Sequence, residues 1–192
     1  MKALIVATAL IAGLAGMSGG ARAHSFNVGL VMALSEQSDA NIRQVRDGFL
    51  LATRERDSHP DEESDGHLGG LDVYLFPVDL KRESLAGVRA MLQREQIDIL
   101  AVIGPDDAAE QFRPLVAGSK TVLLAPGRLA SAPTQAFANA FQTAFGYAPA
   151  MPVAEAYNAA RRIDAAGRPL GGVGDSAALR RALDQTRDGL DW

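Results

Sequence analysis

The chain has 192 residues, and its 19 Lys and Arg residues against 23 Asp and Glu give a formal net charge of −4. An acidic chain lacks the basic surface that a phosphate backbone requires, which argues against nucleic acid as a partner. The sequence contains no cysteine, which excludes disulfides and a lipid anchor attached to cysteine.

The first 23 residues have the features of a secretory signal peptide. Lys2 precedes an apolar run over 3–17, and residues 21–23 read Ala-Arg-Ala, a typical cleavage signal. A membrane anchor is the alternative, but the run is shorter than the roughly 18 to 20 residues that a span needs. We therefore expect 1–23 to be removed, leaving a soluble periplasmic chain over 24–192 that does not insert into a membrane.

The part of the chain up to residue 127 alternates short apolar runs with segments of helical periodicity. Such an alternation is typical of a parallel sheet covered by helices on both faces. An acidic, glycine-containing stretch at 57–70 is predicted to be a loop, and Asp106 or Asp107 is predicted to cap the third helix. The predicted strands are 26–34, 71–78, 97–103 and 121–124, and the predicted helices are 38–57, 84–96 and 106–116.

After residue 127 the pattern changes to small residues and then to helices without strands. The predicted helices are 134–145, 151–166 and 175–186. Trp192 is expected to pack back onto the domain, the alternative being a contact with a partner.

These segments, in this order, resemble the type I periplasmic binding proteins of the branched-chain amino acid class. Among the matching stretches are RDGFLLATRE, IDILAVIGPDD and FANAFQTAFGYAPAMPVAEAYNAARRIDAAG. The resemblance implies a three-layer open parallel sheet of order about 2-1-3-4, with helices on both faces. The segments that carry it are 27–35, 46–55, 69–79, 97–107, 121–127, 137–167 and 175–183.

The resemblance also implies that a large part of the family's structure is missing. Family members have two lobes that close on a ligand, whereas this chain is about half their usual size. We expect a single lobe over 24–192. In it, 24–127 forms the βα units, a linker at 128–136 replaces the second lobe, and 137–192 forms a helical C-terminal part.

Ligands of open α/β sheets bind outside the carboxyl ends of the strands, where the strand order reverses. The candidate ligand-binding residues are therefore Ser35 and Gln37 after the first strand, Asp106 and Asp107 after the third, and Arg128 after the fourth. The family commonly has hydroxyl residues where the two aspartates stand, so the resemblance does not imply a ligand carboxylate there. A helix cap and a site for a cation or an amine remain the alternatives.

Three histidines are the candidates for a metal site: His24, and His59 and His67 in the acidic loop. Imidazole and carboxylate groups bind zinc, copper or nickel, but the close spacing of metal-binding motifs is absent. No metal and no cofactor is predicted. No nucleophile motif is found either, so we do not expect an enzyme.

Two functions of different classes remain. The first is a solute-binding module, associated with an ABC transporter, that holds a small solute at the carboxyl end of the sheet. The second is an accessory subunit that has lost ligand binding together with the second lobe. Its partner would then be a periplasmic or membrane protein, or a second copy of the chain in a homodimer.

Overall fold

The computed structural model describes residues 25–34, 39–57 and 63–192. The predicted signal peptide lies outside these ranges. No helix among the described residues is long and apolar enough to cross a membrane. In chain order the elements are β1 (Ser25–Met32), α1 (Asp39–Arg54), β2 (His67–Leu68), β3 (Leu71–Asp79), α2 (Leu85–Arg94), β4 (Ile99–Ile103), a 3₁₀ turn (Glu110–Phe112), α3 (Arg113–Val116), β5 (Val122–Leu124), α4 (Gln135–Phe145), α5 (Met151–Leu170) and α6 (Ser176–Gln185).

The described strands form a five-stranded open sheet of order β2-β3-β1-β4-β5. Strand β1 pairs in parallel with β3 and β4, and β4 pairs in parallel with β5. The predicted α/β class with a mostly parallel open sheet is confirmed. The predicted set of four strands was incomplete, because the sheet also carries β2, which the expected order 2-1-3-4 did not include.

Strand β2 is antiparallel to β3 and forms the edge of the sheet. Gly69 and Gly70, between the two strands, have φ values of 64° and 80°. A two-residue hairpin turn with both φ values positive favours glycine, which adopts them without steric cost. The turn places His67 opposite Asp72. The end of the predicted loop at 57–70 is therefore a strand and a tight turn.

The two central strands, β1 and β4, are covered on both faces. All five residues of β4 are buried, as expected for a continuous apolar strand inside a parallel sheet. Helices α1, α5 and α6 pack on one face, and α2 with the 3₁₀ turn and α3 pack on the other. The domain therefore has three layers, with its core divided by the sheet.

Helices α1 and α5 approach each other closely at Gly48. A Cβ atom there would overlap the carbonyl oxygen of Val153 and lie 2.9 Å from its Cγ1. A carbonyl oxygen within a helix cannot move away without distorting the backbone. The packing of these two helices therefore requires glycine at this position.

The predicted helix 106–116 is wrong in its first half. Residues 106–109 are turns, and the helical part is a 3₁₀ turn followed by the four-residue α3. Ala109 precedes the 3₁₀ turn without a side-chain cap, so neither Asp106 nor Asp107 is the predicted N-cap. Pro114 has no N–H to bond to a carbonyl four residues earlier, which disfavours a regular helix through this segment.

The three C-terminal helices agree with the prediction. Thr134 and Asp175 accept hydrogen bonds from the first backbone N–H groups of α4 and α6. Helix α5 continues past its predicted end at residue 166 to Leu170. The extension packs over the β2–β3 hairpin, since a Cβ atom at Gly69 would lie 3.3 Å from Cα of Gly167. One turn earlier, Asp164 accepts a 2.8 Å hydrogen bond from the backbone N–H of Gly69.

An aromatic cluster fixes the linker, residues 128–136, and the C-terminal tail. Phe137 lies 4.9 Å from Tyr157 and 4.8 Å from Trp192, measured between ring centroids. The Trp192 indole is stacked on Tyr157 and donates a 3.0 Å hydrogen bond to the carbonyl of Ser131. The expected packing of Trp192 onto the domain is thus confirmed.

We expect Gly48→Ala to destabilise the protein by about 2 kcal/mol, the usual cost of overpacking a core contact. Gly87→Ala is the matched control. The one atom that its Cβ would crowd is Oε2 of Glu83, the end of a flexible side chain, and alanine favours a helix over glycine. Urea unfolding of the two variants measures the difference. Equal midpoints for Gly48→Ala and the wild type would disprove the close helix contact.

Candidate functional site

A cleft of about 520 Å³ lies at the carboxyl ends of β4 and β5. Residues from 102–106, at the end of β4 and in the turn that follows it, form one side, and residues from 125–133 after β5 form another. Helix α5 supplies the remaining wall through Met151, Glu155, Asn158 and other residues. The cleft thus occupies the edge of the sheet where open α/β folds bind ligands.

Gly104 brings the ends of β1 and β4 together at the floor of the cleft. Its φ is 151°, and a Cβ atom there would lie 2.5 Å from the carbonyl oxygen of Ala33. The adjacent Ala33 N–H donates a 2.8 Å hydrogen bond to the carbonyl of Ile103. Asp106 lies in the turn that follows Gly104, where it is exposed and lines the cleft.

Two carboxylates form the acidic side of the cleft. Asp106 is exposed, and Glu155 on α5 is half-buried. Both also line an adjoining cavity of about 530 Å³, together with Leu34 and Asn41. Burial, and then the negative charge of Asp106, raise the pKa of Glu155 above its ordinary value. Two acids that line the same cleft, without an ion pair in the described part of the chain, favour an incoming positive charge.

Two arginines form the basic side of the cleft. Arg128 is exposed, whereas Arg162 on α5 is only 3% exposed. The Arg162 guanidinium donates to Thr186 Oγ1 at 3.3 Å, to the carbonyl of Ala125 at 3.2 Å and to that of Leu183 at 3.2 Å. Burial lowers the pKa of Arg162 to about 10, and the nearby positive charge of Arg187 adds to this effect. Arg162 therefore stays charged at neutral pH.

Gly127 allows this arginine to lie under the linker. A Cβ atom at Gly127 would overlap Nη1 of Arg162, so the guanidinium occupies the space that a side chain would fill. Asn158, which is also buried, donates a 3.3 Å hydrogen bond to the carbonyl of Arg128 and accepts another from the N–H of Leu190. Side chains of α5 thus hold the linker against the cleft.

The structure brings together two of the five predicted ligand-binding residues, Asp106 and Arg128. Asp107 is exposed beside them but is not among the described residues that line the cleft. Ser35 and Gln37 lie outside the described residues.

Glu155, Asn158 and Arg162 line the cleft but were missed by the sequence reasoning. Their spacing of three and four residues places them on one face of α5, among the alanines of AEAYNAARR. Polar side chains on the apolar face of a helix were the signal that could have identified them.

His67 is the metal candidate that falls within the described residues, and it is not among those that line the cleft. His67 is held between Asp57 and Asp72, with 2.8 Å from Nδ1 and from Nε2 to the respective carboxylate oxygens. His24 and His59 lie outside the described residues. Among the described residues, no three His, Cys, Asp or Glu side chains are grouped so that they could hold a metal ion. His67 instead links the end of α1 to the edge of the sheet.

Comparison of the chain with protein-family models, with curated proteins and with solved structures gives no significant match.

We expect Glu155→Gln to raise the melting temperature at pH 7 but not near pH 4. Folding raises the pKa of this carboxyl above its ordinary value of 4.5. The ionised group therefore destabilises the native state once the pH has risen above both the ordinary and the raised pKa. Below both pKa values both states are protonated and the effect disappears. Thermal unfolding at the two pH values is the measurement, with the exposed Glu83→Gln as the control. A melting temperature of Glu155→Gln that is unchanged or lowered at pH 7 would contradict the raised pKa of Glu155.

Proposed function

We propose that the chain is a non-enzymatic solute-binding module of the periplasm, exported by the signal peptide and built like one lobe of a type I periplasmic binding protein. The observation that carries this proposal is the cleft at the carboxyl ends of β4 and β5, with acidic and basic groups on different sides. Its volume of about 520 Å³ falls in the range of small-molecule sites, roughly 300 to 1,000 Å³.

The charges of the cleft favour a small solute that carries an amine. Asp106 and Glu155 supply two carboxylates without an ion-pair partner in the described residues, and an ammonium group between them would relieve their mutual repulsion. Arg128, on the other side, is placed to bind an anionic or polar group of the same solute. The floor contributed by Val102 and Ile103 is apolar, which suits the remainder of the molecule.

A single lobe limits how tightly the solute is held. Ligand sites of proteins bury most of the ligand surface, and two-lobed binding proteins achieve this by closing. This cleft is formed by one lobe, so we expect modest affinity for the isolated chain. A membrane transporter of the ABC type, to which such modules deliver solutes, would supply the missing wall.

Asp106→Asn is expected to weaken binding of an amine-bearing solute about tenfold, since a hydrogen bond to a charged group is typically worth about 1.5 to 3 kcal/mol. The matched control is Asp107→Asn, which removes the same charge from the next residue, outside the cleft. Calorimetric titration with a panel of small amines and amino acids measures the affinities of both variants.

Equal affinities for Asp106→Asn and the wild type would contradict the proposal that this cleft binds the amine group of the solute. If no member of the panel binds the wild-type protein, the amine-solute proposal fails.

One observation favours the accessory-subunit function as a second candidate. Met151, at the rim of the cleft, is 54% exposed, the largest value among the exposed large apolar side chains of the described residues. Methionine is over-represented at adaptable protein-binding surfaces, because its flexible side chain fits partners of different shape. A second copy of the chain would cover the cleft in a homodimer.

For that second candidate we expect a dimer in solution that Met151→Ser converts to monomer, because the substitution removes an apolar contact from the interface. Light scattering after size-exclusion chromatography measures the mass. Leu85→Ser is the control, since Leu85 is also exposed, at 41%, but lies on α2 away from the cleft. A wild-type monomer at micromolar concentration would exclude the homodimer.

A further inference from the structure

A second cavity, of about 480 Å³, lies on the outer side of β5, between α3 and α6. Four arginines line it: Arg113, Arg162, Arg180 and Arg187. We refer to it as the arginine pocket. Asp184 is the one acid among the described residues that line it, although the whole chain has a net charge of −4. The positive charge here is therefore a local feature that runs against the overall composition.

The four arginines differ in how many partners within the chain their guanidinium groups already have. Arg113 forms an ion pair with Glu110, at 2.8 Å between Nε and Oε2. Arg180 donates to the carbonyls of Ser119 and Thr121 at 3.3 and 3.1 Å. The side chain of Arg187 has no hydrogen bond or ion pair within the described part of the chain.

Arg162 is the strongest indication of a ligand. It is only 3% exposed, yet none of its partners in the described residues is a carboxylate. Its three hydrogen bonds, at 3.2 to 3.3 Å, are longer than the roughly 2.7 to 2.9 Å of charge-assisted bonds to an anion. A guanidinium has five N–H donors, so two remain without a partner in the described chain.

A purely structural role explains only part of this arrangement. An arginine near the carboxyl end of α6 interacts favourably with the helix dipole and with the carbonyl of Leu183. That role does not explain why the positive charge of Arg187 lies close enough to Arg162 to disfavour its charged form. Buried charges are costly unless they are paired, and here a second cation adds to the cost, which the charge of Asp184 offsets only in part.

We propose that the arginine pocket binds a phosphate group, with Arg162 and Arg187 donating hydrogen bonds to its oxygens. A doubly charged tetrahedral oxyanion matches the pocket better than a carboxylate does. It offers several acceptor oxygens to donors that arrive from α5, from α6 and from the segment after α6, and it offsets two positive charges. Free phosphate and the phosphate group of a small ester share this chemistry. The proposal does not depend on the solute bound in the cleft.

The test is a calorimetric titration of inorganic phosphate into the purified protein, at constant ionic strength and about pH 7.5, where phosphate is largely a dianion. The wild-type protein is expected to bind one phosphate saturably. Arg187→Gln is expected to weaken the affinity about tenfold, because it removes a charge-assisted hydrogen bond. Its matched control is Arg181→Gln, which removes the same charge from an exposed position of α6 outside the pocket and should leave the affinity unchanged.

Arg162→Lys provides a second variant. It keeps the buried charge but loses the planar guanidinium fork, so we expect a similar weakening of about tenfold. Circular dichroism checks that each variant is folded. A titration with glycerol phosphate then distinguishes free phosphate from the phosphate group of an ester as the natural ligand. Tighter binding of the ester indicates a phosphorylated solute, and equal or weaker binding indicates free phosphate; either result requires the pocket to bind the group.

Two results would overturn the proposal. One is the absence of saturable phosphate binding by the wild-type protein. The other is an equal loss of affinity in Arg187→Gln and Arg181→Gln. Phosphate would then be attracted by the overall positive charge of the surface and not bound in the arginine pocket. Neither result bears on the solute cleft, which Asp106→Asn tests separately.

Discussion

The Arg162 guanidinium connects most of the elements at the carboxyl end of the sheet. From α5 it donates to the carbonyl of Ala125, just after β5, and to the carbonyl of Leu183 in α6. The backbone of Gly127 passes directly over it, in a position where a side chain would overlap Nη1. The end of β5, the start of the linker and the last turn of α6 are therefore positioned around one buried cation. The charge of Asp184 offsets this cation only in part, and no carboxylate of the described chain forms an ion pair with it. Two of its five N–H donors are therefore without a partner in the described chain.

The elements that could be predicted from the sequence were those whose structure is determined by their own residues and their immediate neighbours in the chain. Strand β4 is apolar at every position because both of its faces are buried, and α4 and α6 begin at residues whose side chains cap them. The β2–β3 hairpin was missed because two glycines in a polar stretch were interpreted as a loop, although their positive φ values make a tight turn. The predicted helix from 106 failed because Pro114 interrupts the backbone hydrogen bonds that the apolar pattern suggested.

The candidate site was predictable where it depends on strand ends and unpredictable where it depends on packing. Asp106 and Arg128 follow strands, so topology alone places them at one edge of the sheet. Glu155 and Arg162 come from a helix much later in the chain, and only the close packing of α5 on the sheet brings them there. Among the described residues, no ion pair joins the acidic side of the cleft to its basic side. A bound solute can therefore interact with both signs of charge without first breaking a pair.

The aromatic cluster at the linker makes the single tryptophan of the chain a natural spectroscopic reporter. Trp192 is the one Trp in the sequence, and its indole ring is stacked on Tyr157 and bonded to the carbonyl of Ser131 in the linker. The linker also lines the cleft, through residues that include Leu129 and Pro133. Any displacement of the linker changes the surroundings of the indole. Intrinsic fluorescence excited at the tryptophan band therefore reports on one wall of the cleft, without a label, in the unmodified protein.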